Sequence, residues 1–121
     1  MPDLGSMVDD RAIANLLVTG LDDWVLFDDV IFEARQTAPA DDPYATALSL
    51  VAEMLDQRLI EVGDVTREPV GFVAWDIPDD EVLARIQASL DALNGGPLPF
   101  ALCWLSNTDE GDRRARAILD G

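Results

Sequence analysis

The chain has 121 residues, 49% of them apolar, which suits one domain with a single core and excludes a disordered polypeptide. It carries 24 acidic residues against 8 basic ones, a net charge of −16, so its mean field repels nucleic acid and anionic membranes and attracts basic partners. Histidine is absent and Cys103 is the single cysteine, which removes His-based triads, His general bases, nearly all catalytic zinc arrangements and any internal disulfide.

The N-terminus "MPDLGSMVDDR" has neither the basic start nor the apolar stretch of a secretory signal, and no later apolar run is long enough to span a bilayer. With the lone thiol, this points to a reducing, cytoplasmic setting. "GSM" at Gly5 to Met7 is compatible with residues 1–6 being a remnant of cloning ahead of a start at Met7. Val8 to Gly20 predicts a first helix with Ile13, Leu16 and Leu17 inward and Gly20 as its stop. "DDWVLF" predicts a short strand, and Asp28-Asp29 then precede "VIFEAR", a short second helix that packs Val30, Ile31 and Ala34. "QTAPADD" is a polar connector.

Asp42 and Pro43 announce a third helix, as cap and first helical residue. Tyr44, Leu48, Val51, Leu55 and Leu59 make one continuous apolar stripe along it, widened by Ala47, Leu50 and Met54. Leu48, Val51 and Leu55 are expected to be almost fully buried. The remaining face carries Thr46, Ser49, Glu53, Asp56 and Gln57. Two strands follow, Ile60 to Val65 and Val70 to Trp75, with "TREP" as the turn. "PDDEVLARIQASLDAL" predicts a fourth helix with Val82, Ile86, Leu90 and Leu93 inward, closed by "NGGP". "LPFALCWLSN" reads as a further strand, and "TDEGDRRARAIL" as a final helix in spite of Gly111.

Helix, short strand, helix, helix, strand, turn, strand is the winged-helix order. The expected fold class is therefore α+β: a winged-helix-like core over residues 8–76, with an added C-terminal helix, strand and helix over 77–121, all in one domain. Leu59 to Asp76 ("LIEVGDV…GFVAWD") and Cys103 to Gly111 ("CWLSNTDEG") also resemble small actinobacterial winged-helix-like proteins of unassigned function. That resemblance implies a fold and no activity.

The acidic pairs Asp9-Asp10, Asp28-Asp29, Asp41-Asp42, Asp79-Asp80 and Asp109-Glu110 each stand at a predicted helix start, where carboxylates accept free backbone N–H groups and face the positive end of the dipole. Capping accounts for them without a metal or a catalytic dyad; Asp22-Asp23 is the leftover pair. "NTDEGD" (Asn107 to Asp112) has alternating oxygens, as calcium loops do, but lacks the distal Glu. Cys103, among Phe100, Leu102 and Trp104, reads as a buried thiol, and Ser6, Ser49, Ser89 and Ser106 have no base to activate them. No cofactor fingerprint occurs; Gly95-Gly96 is a helix stop. At least two of Trp24, Trp75 and Trp104 are expected to anchor the seam between the core and the C-terminal segment, a surface Trp marking an interface instead.

A DNA-reading helix presents Arg, Lys, Asn or Gln to base edges and is backed by phosphate contacts. Here the exposed face offers Thr46, Ser49, Glu53, Asp56 and Gln57, the wing turn has Arg67 beside Glu68, and "RRAR" (Arg113 to Arg116) is diluted by Asp109, Glu110 and Asp112. The expected use is a non-catalytic one: Thr46, Ser49, Glu53, Asp56 and Gln57 facing a basic protein partner, as in an acidic inhibitor or immunity-like protein, without nucleic acid or membrane. The alternative is a transcriptional regulator, a homodimer that gathers Arg35, Arg58, Arg67 and the Arg113 cluster on one side.

Overall fold

A computed structural model describes residues 4–98 and 102–121, with side chains from Arg11 onward. Helix α1 spans Leu4–Thr19 and buries Ala12, Ile13, Leu16 and Leu17. It begins four residues before Val8 and runs through Gly5, a residue that weakens a helix without ending it. Asp9 and Asp10 consequently sit inside the helix, which corrects their assignment to its first turn.

After a turn at Gly20 the chain makes the short strand β1, Val25–Leu26, and enters helix α2, Phe27–Thr37, without a connector. Asp29 fixes that entry: its Oδ2 accepts the Leu26 N–H at 3.0 Å, satisfying a group that the helix leaves unpaired. Asp28 and Asp29 thus lie within the first turn rather than ahead of it, and α2 starts three residues earlier than Val30. Phe27, Val30, Ile31 and Ala34 are its buried side.

Helix α3, Pro43–Asp56, follows the sequence signals closely. The Asp42 carboxylate accepts the Tyr44 N–H at 3.0 Å, and Pro43 occupies the first turn, where a missing N–H costs nothing. Ala47, Leu50, Val51, Met54 and Leu55 are buried. At about 1.5–3 kcal/mol for each large side chain, this helix supplies much of the core's stabilisation. Leu48, expected with them, is only half-buried, since the helix turns that flank toward the groove beside the next helix. The C-terminus closes as a Schellman motif: the Leu59 N–H donates to Met54 O at 2.9 Å and the Arg58 N–H to Leu55 O at 3.0 Å. Arg58 therefore takes φ 59°, a conformation that normally favours glycine.

Strand β2, Ile60–Arg67, and strand β3, Val70–Ala74, form the expected hairpin, with β2 two residues longer than predicted. Its turn is Glu68-Pro69, joined by a cis peptide. Helix α4, Asp79–Asp91, buries Val82, Ile86 and Leu90, and Leu93 packs half-buried just past its end. Strand β4, Trp104–Asn107, and helix α5, Asp109–Asp120, complete the described chain; Pro99, Phe100 and Ala101 of the predicted strand lie outside the described residues.

The protein is thus α+β, with the helix, strand, helix, helix, strand, strand order of a winged helix followed by the added helix, strand and helix. The sheet is antiparallel throughout, in the order β1-β4-β2-β3. Strand β4 lies between β1 and β2, with Leu105 opposite both Val25 and Val62. These three, with Ile60, are buried on the side where the helices gather. Successive residues alternate sides, so Glu61, Val65, Arg67, Phe72, Trp104 and Ser106 line the other side, half-buried or exposed.

Candidate functional site

The outward ridge of α3 holds Thr46, Ser49, Glu53, Asp56 and Gln57, placed on one flank by the helical period. Ser49, Glu53 and Asp56 are exposed, and Thr46 and Gln57 are half-buried. Gln57 ties this ridge to α5: its Nε2 donates to Glu53 Oε1 at 2.6 Å, and its Oε1 accepts from the Arg114 guanidinium at 2.5 Å. The structure therefore brings Glu53 and Gln57 together with Arg114, leaves Asp56 in solvent beside them, and keeps Thr46 apart near the start of the helix. Ser49 borders a shallow groove of about 400 Å³ between α3 and α4, floored by Leu48, Ala52, Leu83 and Ala84.

The arginines are dispersed. Arg85 on α4 lies 3.9 Å above the ring centre of Trp75, whose Nε1 donates to Asp64 Oδ2 at 3.0 Å. This stack clamps α4 onto the hairpin, so Trp75 does anchor the seam between the core and the C-terminal segment. Arg113 pairs with Glu110 one turn away at 2.5 Å, both ends well exposed, a contact worth little in stability. "RRAR" is thus occupied by local and interhelical contacts at Arg113 and Arg114. Trp104 opens β4 opposite Leu26 and Gly63, and Trp24 borders a hollow of about 320 Å³ with Asp22, Asp23, Ser106, Asn107 and Asp112.

Four of the acidic pairs stand at helix starts. Asp42 and Asp29 accept backbone N–H groups there, and Asp80 Oδ1 accepts that of Glu81 at 3.0 Å. Asp28 Oδ1 is enclosed without a hydrogen-bond partner among the described residues. In "NTDEGD" the side chains serve the fold. Asn107 Nδ2 donates to Leu17 O at 2.9 Å, tying β4 to the end of α1. Thr108 caps α5 by accepting the Gly111 N–H at 3.1 Å, and its own hydroxyl donates to Arg58 O at 2.6 Å. Among the described residues no group of three or more Cys, Asp or Glu is arranged around a metal position.

Cys103 is fully buried. Burial, then the carboxylates of Asp64 and Asp28, push its thiol up to about 12 against a weaker opposing pull from Arg85. The group is held as a neutral thiol at physiological pH, the reverse of an activated nucleophile. Phe100, expected beside it, lies outside the described residues. Two stitches escaped the sequence reading. Thr108 had an available signal, a hydroxyl residue directly before an acidic first turn; the Trp75–Arg85 stack had none, because its members sit on separate elements.

No family model, curated protein or solved structure matches the chain.

Proposed function

We propose that the protein is a non-catalytic binding module of the cytoplasm that covers a basic protein partner, in the manner of an inhibitor or immunity protein. The observation that carries this reading is the imbalance of 24 carboxylates over 8 arginines, taken with where the arginines go. Arg85, Arg113 and Arg114 are engaged by Trp75, Glu110 and Gln57, Arg35, Arg58 and Arg67 are exposed on separate segments, and Glu53 and Asp56 project from the exposed ridge of α3. An acidic field of this kind accelerates encounter with a cationic surface and slows encounter with phosphate. The winged-helix order by itself does not make a DNA reader, because affinity for a duplex comes chiefly from phosphate neutralisation.

Two measurements test the proposal together. Fluorescence anisotropy with random duplex DNA over a salt series is expected to give no binding at physiological salt. Capture from the native lysate is expected to retain a basic protein whose association slows steeply as salt rises. Tight DNA binding whose affinity falls with salt on a slope of several units overturns the reading and favours the dimeric regulator.

A further inference from the structure

Strand β3 closes one margin of the sheet, and no strand among the described residues pairs with its outer edge. The Trp75 N–H donates inward to Val62 O at 3.0 Å, and Gly63 stands opposite Ala74. The alternation of an antiparallel ladder then turns the N–H and C=O groups of Val70, Phe72 and Ala74 away from β2. Edge strands ordinarily carry a charge, a proline or a bulge that prevents further pairing. Here the strand reads Val-Gly-Phe-Val-Ala, and Val70 and Val73 are 72% and 53% exposed on its two sides. The opposite margin, β1, has two residues and offers no comparable edge.

We infer that β3 is a docking edge for an extended basic segment of a partner protein, which joins the sheet as a fifth strand beside Val70–Ala74; the inference rests on the reading of the protein as an acidic binding module. The hydrogen-bonding edge sets the form of the ligand, since an extended strand matches the spacing of its alternating N–H and C=O groups in place of water. Charge sets its composition. Asp64 stands opposite Val73 in the register and accepts from Trp75, Glu68 lies in the turn and Asp76 just beyond the strand, three carboxylates against Arg67 in the hairpin and Arg85 stacked over Trp75. A second copy of the chain would bring −16 against −16, whereas Lys or Arg alternating with β-branched residues meets both the edge and the field.

The test uses the intact protein and two labelled peptides of equal charge, Lys-Val-Lys-Val-Lys-Val-Lys and the same sequence N-methylated at every interior residue. The first is expected to bind at least ~10-fold more tightly, because N-methylation removes the donors that pairing requires. It should also slow hydrogen exchange at the Phe72 and Ala74 amides. Ala74→Pro removes an outward N–H without touching the ladder to β2 and is expected to abolish the difference between the peptides. The peptide comparison on the parent protein stands even if that variant fails to fold. Equal binding of both peptides, with exchange unchanged at Phe72, overturns the edge and leaves the acidic module intact. No binding of either peptide at low salt overturns both. Concentration-dependent protection of Phe72 in the protein alone, with a dimeric mass, overturns the choice of partner.

Discussion

Gly111 sits in the first turn of a helix, where alanine is ordinarily better by about 1 kcal/mol. Here the exchange should do harm. A Cβ at Gly111 would stand 2.1 Å from Leu59 O and 3.1 Å from its carbon, backbone atoms that the Schellman turn holds in place. Restoring ordinary contact requires α5 to withdraw by more than ~1 Å from the end of α3. The same carbonyl accepts the Thr108 N–H at 2.9 Å, and Arg58 O accepts the Thr108 hydroxyl at 2.6 Å, so both bonds break on withdrawal. Two hydrogen bonds at about 1 kcal/mol each, plus roughly 1–3 for overpacking, less about 1 for helix propensity, leave Gly111→Ala destabilised by about 2–4 kcal/mol. Urea melts of parent and variant, compared at equal slope, measure this directly. A variant that gains the ~1 kcal/mol typical of an exposed helix position would refute the close approach of α5 to Leu59.

Leu55→Ala should cost about 2–5 kcal/mol and Leu48→Ala no more than ~1.5, a gap that urea melts resolve and that tests which flank of α3 faces the core. Arg58→Gly is expected to stabilise the protein by about 0.5–1 kcal/mol, read as a raised melting temperature, because φ 59° costs glycine nothing. Cys103 should resist thiol reagents in the native state and react once urea unfolds the chain. Its folded pKa lies above the unfolded value of about 9, so the unfolded thiol ionises first and stability falls as pH rises past that point. By about pH 10 the parent should have lost on the order of 1 kcal/mol more than Cys103→Ala does, by melts run in parallel.

Legibility in the sequence followed the range of the forces involved. Asp42, Pro43 and the stripe from Tyr44 to Leu59 act within a turn or two of one another, and α3 was readable almost to the residue. The hairpin was readable for the same reason, through alternation and the proline at its turn. The start of α1 was not, because Asp9-Asp10 imitate the first turn of a helix that begins at Leu4. The candidate ridge on α3 followed from helical period alone, yet its tie to Arg114 depends on where α5 lands, 57 residues further on. The exposure of the β3 edge likewise follows from strand order, which composition does not encode. Gly111 looked like a flaw in a helix until the carbonyl of Leu59 appeared against it.

The placement of β4 has a consequence for how the chain must be made. Strand β4, made after the other three strands of the described sheet, is inserted between β1 and β2, so β1 lacks its partner in that sheet until Leu105 leaves the ribosome. A chain stopped at Asp76 contains the whole winged-helix order and still leaves β1 and the inner margin of β2 bare. Domain dissection at that boundary should therefore yield a sticky fragment rather than a miniature of the protein. Strand β4 is thus the keystone of the sheet, joining β1 to the hairpin, rather than an appendix to the winged-helix order.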